Sequence, residues 1–337
     1  MDALEASLSN QSPGAEPIVS VLVLAYKQED LVIECLESIR ALDYARLEVI
    51  LSDDRSPDRT FEVAERWMQQ NSSRFVRAVA FEQPHNLGVV GNLQFLFDQA
   101  AGEYLTYIAS DDLYVSSAIH DRLAVFNQKP QLDAVFANAQ EIAIDGTILK
   151  EACIPARFSE QFAIPSLLSA ALVLNWCIPG PVMMVRRSAL QPDGSLGRLP
   201  ATLKGEDPYI YTRLAAKNKL AFIDKTVGKW RYVPHSLSHA PSPRNVFARG
   251  YTLESDKINR PLLRGFDRFA LDIRIGSNKT EVYRRSLVPY IVKKVFYRAM
   301  MMLFRFALRL RTVAADFRGA ASRDGARNQS SGSENAV

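Results

Sequence analysis

Two pairs of adjacent aspartates carry the clearest chemical signal in this 337-residue chain. Asp53-Asp54 and Asp111-Asp112 each follow an apolar, strand-like run. Ligands of open α/β sheets bind outside the carboxyl ends of the strands, so both pairs are expected to face one crevice. Four carboxylates in one place repel one another unless a cation or hydrogen-bond donors compensate. Mg²⁺ or Mn²⁺ bridging Asp112 to a diphosphate would do so; the alternative is that these aspartates only cap helices and turns.

Alternating strand-like and helix-like segments must position these pairs. Amphipathic helices are expected between successive strands, for example over Glu29–Ala41 and Asn92–Ala101. This rhythm favours right-handed crossovers and an α/β fold with a Rossmann-like, mainly parallel sheet flanked by helices. The expected strands are Ile18–Ala25, Glu48–Ser52, Val76–Phe81, Tyr104–Ala109 and Ala134–Ala137. Beyond about residue 140 the rhythm breaks, and Asp145-Gly146 is typical of a hairpin turn.

Composition excludes several classes of protein. A hydrophobic share of 47% and a charged share of 23% are ordinary for a globular chain, and a net charge of +4 does not require nucleic acid. No glycine-rich phosphate loop, dinucleotide fingerprint or serine-hydrolase elbow is present. Three widely spaced cysteines and four histidines favour neither a disulfide framework nor a zinc centre. The first 16 residues lack the apolar run of a signal peptide, which favours a cytoplasmic location.

Two apolar segments raise the question of whether the chain crosses a membrane or binds to its surface. Residues 166–185 contain no charge, but Asn175, Pro179, Gly180 and Pro181 interrupt them, so a buried helix and a strand are expected rather than a membrane span. Residues 282–315 contain no acidic residue and eight cations. Their mixed apolar and basic pattern predicts an amphipathic helix that lies on an anionic membrane surface through residues 284–311. The alternatives are a helix packed on the preceding domain and a dimer contact. No nucleic-acid recognition module accompanies the cations, so no nucleic-acid partner is expected.

The motifs, in their order and spacing, resemble those of family 2 glycosyltransferases. The resemblance runs from about residue 17 to residue 240. Gly205-Glu206-Asp207 is similar to the later E-D of the family, which carries the catalytic base. The earlier matching segments are Val19–Tyr26, Ser52-Asp-Asp-Arg-Ser-Pro-Asp-Arg-Thr60, Asn86-Leu-Gly88 with Asn92, Ala101-Gly-Glu-Tyr104 and Ser110-Asp-Asp112.

The resemblance implies a GT-A fold, a nucleotide-sugar donor and an inverting transfer with Asp207 as the base. Asp112 would ligate the metal, Asp54 would accept a hydrogen bond from the donor base, and Asp53 would support that loop. Asp111 would touch ribose or sugar. The remaining residues expected to bind the donor are Leu24, Ala25, Tyr26, Asn92 and Arg231. The implied domains are a flexible 1–16, a catalytic domain 17–245 (nucleotide-binding half 17–140, acceptor half 141–245), a basic helical extension 246–318 and a disordered tail 319–337.

Two departures from the family pattern refine the expected activity. The Q-x-x-R-W motif of processive synthases is absent, which favours transfer of single sugars. Many relatives carry a histidine where Val233 stands here, and His235 follows two residues later. A two-residue shift keeps the same face of a strand, so His235 is a second candidate metal ligand; the alternative is a solvated loop histidine.

The expected enzyme moves a sugar from a UDP-sugar to a saccharide or lipid-linked acceptor in cell-surface polysaccharide assembly, at the inner face of the cytoplasmic membrane. Two rivals remain open. One is a sugar-phosphate nucleotidyltransferase, and the other is a catalytically silent nucleotide-sugar-binding scaffold.

Overall fold

The computed structural model describes residues 16–175, 177–234, 252–282 and 287–331. In these ranges the chain forms a mixed sheet flanked by helices, with a helical extension at its C-terminal end. The strands are β1 (Val19–Ala25), β2 (Leu47–Asp53), β3 (Arg77–Glu82), β4 (Tyr104–Ala109), β5 (Leu113–Tyr114), β6 (Ala134–Ile142), β7 (Ile148–Lys150), β8 (Met183–Arg186) and β9 (Leu220–Arg231). The helices are α1 (Val32–Arg40), α2 (Thr60–Asn71), α3 (Gly88–Gln99), α4 (Ala118–Gln128), α5 (Ala156–Phe162), α6 (Pro165–Leu174), α7 (Asp207–Ala216), α8 (252–259), α9 (Gly265–Val282) and α10 (Leu287–Ser331). Short 3-10 turns cover Ser72–Arg74, Gly180–Val182, Arg187–Leu190 and Arg260–Leu262.

The first half of the sheet is parallel, and its strands β1, β2 and β4 are largely buried. Strands β3, β2, β1 and β4 lie side by side in that order. All seven residues of β2 are buried, which is the burial expected for a central strand covered by helices on both sides. Asp53 is the last residue of β2 and Asp54 follows it, and Asp111-Asp112 comes shortly after the end of β4, so both pairs lie at the same edge of the sheet, as the sequence predicts.

The second half of the sheet is mixed. Strand β8 runs antiparallel between β4 and β6, and β9 pairs in parallel with β6 and antiparallel with β5. The expected hairpin is present: β6 and β7 pair across a turn in which Gly146 has a φ of +85°. The parallel pairing expected from the sequence thus holds for the first four strands in spatial order and for β6 with β9, and the other pairs are antiparallel.

Several expected boundaries move. The helix expected to begin at Asn92 begins at Gly88, the strand expected over Ala134–Ala137 continues to Ile142, and Leu220–Arg231 forms a long strand that the sequence analysis does not predict. The apolar segment 166–185 folds as a buried helix, α6, followed by the buried strand β8, as expected. None of the helices in the described part of the chain combines the length and apolar character needed to cross a membrane.

The C-terminal extension packs on α5 and α6. Helix α10 buries Phe304 and Leu308, and the Phe304 ring stacks on Phe266 of α9 at 4.9 Å between centroids. The helix continues to Ser331, beyond residue 318, where the basic helix was expected to end. The division of the chain into the domains given above stays a prediction.

Candidate active site

The loops that follow β1 and β2 are tied together by Asp53. Its carboxylate accepts hydrogen bonds from the backbone NH of Ser56 at 2.8 Å and from the Ser56 hydroxyl at 2.5 Å. The Ser56 hydroxyl oxygen also accepts from the backbone NH of Lys27 at 2.9 Å. Lys27 and Arg55 have positive φ angles of 58° and 62°, which non-glycine residues seldom adopt. Asp53 therefore fixes the shape of both loops at the mouth of the crevice.

Asp54 caps the first turn of α3. Its Oδ1 accepts the backbone NH of Leu87 at 2.6 Å, and its Oδ2 accepts that of Gly88 at 2.9 Å. Burial raises the pKa of this carboxyl, and the two amide hydrogen bonds oppose that rise. A carboxylate at a helix N-terminus is also stabilised by the helix dipole. Each oxygen keeps a lone pair, so contact with a donor base remains chemically available.

The carboxyl end of β1 lines the crevice between these loops. Leu24 is half-buried and its carbonyl accepts the NH of Ser110 at 2.9 Å, while the Ala25 carbonyl accepts the NH of Asp54 at 2.9 Å. Tyr26, by contrast, is 43% exposed. These contacts join β1 to the segments that carry both aspartate pairs, and they leave the Tyr26 ring available to a ligand.

Asn92 lies beneath the loop rather than at its surface. It is buried, and its side-chain NH₂ donates to the Ser52 carbonyl at 3.0 Å. Its Oδ1 has no hydrogen-bond partner among the described residues. The contact it makes supports the end of β2, and its predicted contact with the donor stays a prediction.

Asp112 is the buried carboxylate at the centre of the site. Its Oδ1 accepts the backbone NH of Arg231 at 2.8 Å. Its Oδ2 faces Gly180 so closely that a Cβ on that residue would lie 3.3 Å away. Burial raises the pKa of Asp112 well above its ordinary value, the Asp111 carboxylate raises it further, and Arg231 opposes both. A buried carboxylate whose charge the protein does not fully compensate is stabilised by a cation.

Arg231 supports the Asp111-Asp112 segment through hydrogen bonds of its guanidinium. Its guanidinium donates to the Asp111 carbonyl at 2.7 Å, to the Ile144 carbonyl at 2.6 Å and to the Glu34 carboxylate at 2.6 Å. The side chain is almost fully buried. Its hydrogens are thus directed at protein atoms, which makes it a support of the aspartate pair in this structure. Direct contact with a donor diphosphate stays a prediction.

The described residues suit a metal ion that arrives with a diphosphate rather than a preformed protein cage. Among these residues no group of three or more His, Cys, Asp or Glu could hold an ion together. The Oδ2 of Asp112 is available to an ion. The carboxylate of the neighbouring Asp111 accepts a hydrogen bond from the Gln28 side-chain amide at 3.2 Å. One or two carboxylates completed by phosphate oxygens are the usual protein environment of Mg²⁺. His235, the second candidate ligand, lies outside the described residues.

Asp207 is the first residue of α7, and it faces strand β4. The Tyr107 hydroxyl donates to its Oδ1 at 3.2 Å. Burial raises the pKa of Asp207 well above its ordinary value, and the Glu206 carboxylate raises it further. Burial raises the pKa of Glu206 as well. A carboxylate with a raised pKa is a stronger base once ionised, which suits the removal of a proton from a hydroxyl.

Sequence reasoning missed the residues that support this carboxylate chemistry. Tyr107 lies on β4 and contacts Asp207, while Gly180 packs on Asp112 and Glu34 pairs with Arg231. Only Tyr107 carried a local signal, because it belongs to the strand that leads into the second aspartate pair. The other contacts join segments that are far apart in sequence.

The Ala101-Gly-Glu-Tyr104 segment, in contrast, lies at the opposite edge of the sheet. The Ala101 NH donates to the buried Glu48 carboxylate at 2.9 Å, and the Gly102 NH donates to the Ser20 hydroxyl at 2.9 Å. A Cβ on Gly102 would lie 2.6 Å from that hydroxyl oxygen. This motif therefore holds strands together and takes no part in the crevice.

The crevice and sheet together define a GT-A-type glycosyltransferase fold. The model of the family described as glycosyl transferase family 2 matches residues 20–190, and the chain belongs to this family. Solved structures show the same fold: S. aureus TarS 1-349 in complex with UDP-GlcNAc has a TM-score of 0.54 at 15% identity, over 85% of this chain and 81% of that one. The mannosyltransferase PcManGT from Pyrobaculum calidifontis, in complex with GDP-Man and Mn²⁺, has a TM-score of 0.51 at 15% identity, over 92% of each chain.

Among curated relatives, a Campylobacter jejuni enzyme shares 31% identity over 112 residues. It is named GalNAc(5)-diNAcBac-PP-undecaprenol beta-1,3-glucosyltransferase, and the match covers 33% of this chain and 35% of that protein. The chain spans about a third of the length of the first curated relatives that it matches.

Proposed function

We propose that this protein transfers a single sugar from a nucleotide-sugar donor to a saccharide or lipid-linked acceptor, with inversion at the anomeric carbon. Asp207 is the catalytic base, and a divalent ion, Mn²⁺ or Mg²⁺, is held by Asp112. A UDP-sugar is the proposed donor, and cell-surface polysaccharide assembly is the proposed setting. The proposed location is the cytoplasm, at the inner face of the cytoplasmic membrane.

The observation that carries this proposal is that strand β4 positions two carboxylates, Asp112 and Asp207, whose charge the protein does not fully compensate. Asp111-Asp112 follows the carboxyl end of β4, and Tyr107 of the same strand contacts Asp207. The Oδ2 of Asp112 receives no hydrogen bond from the described residues, although its partner oxygen does. One carboxylate that favours a cation and one that favours a proton are the two groups that a single displacement requires.

In the proposed reaction, each group of this chain has one task. Asp207 accepts the proton of the acceptor hydroxyl while that oxygen forms its bond to the anomeric carbon. The bond from that carbon to the diphosphate oxygen breaks at the same time, and the nucleoside diphosphate leaves. A divalent ion bound by Asp112, with Asp111 beside it, would neutralise the developing diphosphate charge. Asp53, Asp54 and Arg231 hold the loops in place.

The proposed donor and acceptor classes take support from the relatives. One structural neighbour is described with UDP-GlcNAc and another with GDP-Man and Mn²⁺. Two curated relatives, one from Campylobacter jejuni and one from Escherichia coli, are named for undecaprenol-diphosphate-linked acceptors, and the second is named for UDP-Glc as donor. These names motivate a UDP-sugar and a lipid-linked acceptor as the first classes to test.

The exposed face of α10 supports a location at an anionic membrane. Val292, Met302 and Phe306 are 63%, 66% and 61% exposed, and they recur at helical spacings on the side opposite the packed residues. This membrane-docking face also includes Ile291, Val295, Phe296, Leu303, Leu310 and Val313, all exposed. Cations flank it, including Arg298, Arg305 and Arg309. An exposed apolar stripe bordered by cations fits the surface of an anionic leaflet. Residues 284–286 of the proposed surface lie outside the described residues.

Calorimetric titration of UDP, GDP and dTDP, with and without Mn²⁺, tests the donor and metal proposals. Metal-dependent binding of one nucleotide by the wild type, lost in Asp112→Ala, is the expected result. Folded wild-type protein that binds none of the three would overturn the transferase proposal and favour a silent scaffold. Binding that is unchanged by Mn²⁺ and by Asp112→Ala would overturn the metal site alone.

A further inference from the structure

The C-terminus of α6 is capped by arginines from the extension rather than by its own sequence. The last turn of α6 contains no basic residue. Arg274 of α9 donates to the carbonyls of Leu172 at 3.4 Å and Val173 at 3.0 Å, and Arg305 of α10 donates to the Leu174 carbonyl at 3.1 Å. These carbonyls lie in the last turn of the helix, where no intrahelical donor remains and the negative end of the helix dipole favours cations.

The two arginines differ in how firmly they are held. Arg274 is buried and forms a two-pronged ion pair with the fully buried Asp256. Arg305 is exposed apart from its contact with α6, and no carboxylate pairs with it among the described residues. The buried ion pair therefore holds Arg274 in place at the end of α6, whereas the hydrogen bond from Arg305 to α6 depends on the position of α10.

The segment after α6 reaches the centre of the candidate active site within a few residues. Gly180 faces the Oδ2 of Asp112, and a Cβ on Gly228 would lie 3.1 Å from Pro181. The Met183 carbonyl accepts the hydroxyl of Thr106, on β4, at 2.8 Å. We refer to residues 177–182, which include Gly180, as the wall beside Asp112; this segment begins three residues after the end of α6.

Helix α10 has a packed face and an exposed face. Its packed face buries Leu308 and also Phe304, which contacts Phe266 and Phe269 of α9, and Arg305, adjacent to Phe304 in sequence, donates to the Leu174 carbonyl. Its opposite face is the membrane-docking face defined above. A helix that is bound to a lipid surface moves less relative to the helices on which it packs. A hydrogen bond between that helix and a neighbour is then formed for a larger fraction of the time.

We propose that Arg305 couples membrane docking of α10 to the wall of the active site formed by residues 177–182. Docking on an anionic leaflet fixes α10, Arg305 then holds the end of α6, and the wall beside Asp112 is ordered for a lipid-linked acceptor. Arg305 is a positioning residue that touches neither donor nor acceptor. The inference rests on the proposed function, since it assumes that the acceptor is presented at the membrane.

Amide hydrogen exchange on the full chain, with vesicles of phosphatidylglycerol and phosphatidylcholine, tests this coupling without a known acceptor. In the wild type we expect these vesicles to slow exchange in α6 and residues 177–182, and vesicles of phosphatidylcholine alone to leave it unchanged. Arg305→Gln is expected to bind about five-fold more weakly, as for the loss of one cation, and to show no slowing there at saturating lipid.

The matched control is Arg309→Gln, which removes a cation from the same helix but makes no hydrogen bond to α6 in the structure. It is expected to lose the same affinity and to keep the slowing. Arg305→Lys, which retains one donor for the Leu174 carbonyl, is expected to restore it in part. Circular dichroism of each variant establishes that it is folded. If Arg305→Gln does not fold, the comparison of slowing in Arg305→Lys with that in the wild type and in Arg309→Gln tests the same contact.

Three results would overturn the proposal, and each leaves a different part of the argument standing. Undiminished slowing in Arg305→Gln would remove Arg305 as the link. A wild type that binds vesicles without slowing in α6 would remove the coupling and keep membrane docking. A wild type that binds no anionic vesicle would remove docking itself, while metal-dependent nucleotide binding would still support the transferase.

Discussion

Gly180→Ala is the sharpest test of the proposal that the Oδ2 of Asp112 faces the metal. The added Cβ would lie 3.3 Å from this oxygen. Carbon and oxygen at that distance are tighter than ordinary contact, so the carboxylate must move by a few tenths of an ångström and its open side is partly covered. Gly180 does not have a positive φ, so the substitution adds no backbone strain of the kind that positive-φ glycines relieve.

The expected effect is large on metal binding and small on stability. Displacing a ligand or its immediate neighbours lowers metal affinity by about 10- to 100-fold, which corresponds to about 1.4–2.7 kcal/mol. Replacing glycine by alanine stabilises a chain by about 0.4–1 kcal/mol through the unfolded state. The close contact offsets part of that gain, and we expect the melting temperature to change by less than about 3 °C.

Titration of UDP into the protein at a series of fixed Mn²⁺ concentrations measures this effect. Asp112→Asn is the matched reference, because the amide oxygen still accepts the Arg231 NH while the charge is lost. We expect the Mn²⁺ concentration that Gly180→Ala needs for half-maximal UDP binding to lie between those of the wild type and this reference. A variant with wild-type Mn²⁺ affinity would refute the reasoning, since it would show that the ion does not approach Asp112 from the side of Gly180.

Two further predictions concern buried charges. Asp207→Asn is expected to abolish transfer and retain nucleotide binding, and to raise the melting temperature relative to the wild type by an amount that grows with pH. The sign follows from the raised pKa of Asp207: between its unfolded and folded pKa values the folded protein binds more protons, so the wild type loses stability as pH rises through that window. Melts at several pH values check this, and a difference that shrinks with pH would contradict it. Arg274→Met leaves the fully buried Asp256 unpaired, and we expect a loss of about 3–5 kcal/mol in the free energy of unfolding by chemical denaturation. A loss under about 1 kcal/mol would show that water reaches Asp256, and an Asp256→Asn background should reduce the effect.

Local sequence patterns predicted the elements that carry the aspartate pairs. Strand β4 begins and ends at the predicted residues, Tyr104 and Ala109, and β1 and β2 differ from prediction by one residue at each end that moves. A buried parallel strand is a continuous apolar run, and the amphipathic helices between the strands have a different period, so both signals are short-range. The order of elements then places both pairs at one edge.

The pairing of the second half could not be read in the same way. Strand β9 contacts β6 in parallel and β5 in antiparallel register, with irregularities along the way. Nothing in the residues of β9 specifies these partners, because pairing depends on which surfaces remain uncovered after the first half has folded. Two further contacts could not be predicted for the same reason. They are the hydrogen bond from Arg231 to Glu34, almost two hundred residues away, and the capping of α6 by Arg274.

The structure also separates aspartates that shape the site from those available for chemistry. Each oxygen of Asp53 and Asp54 accepts a protein hydrogen: Ser56 supplies both for Asp53, and the NH groups of Leu87 and Gly88 supply those for Asp54. The left-handed φ of +72° at Gly88 belongs to the turn that brings these NH groups to the carboxylate, so the spaced motif letters D and N-x-G form one local structure. Asp112 and Asp207 are different, because the described residues give a hydrogen bond to only one oxygen of each, and burial raises the pKa of each well above its ordinary value. The cost of burying an incompletely compensated carboxylate is repaid only when a cation or a proton arrives. Substitution of Asp54 should therefore affect folding first, whereas substitution of Asp112 or Asp207 should affect binding and turnover first.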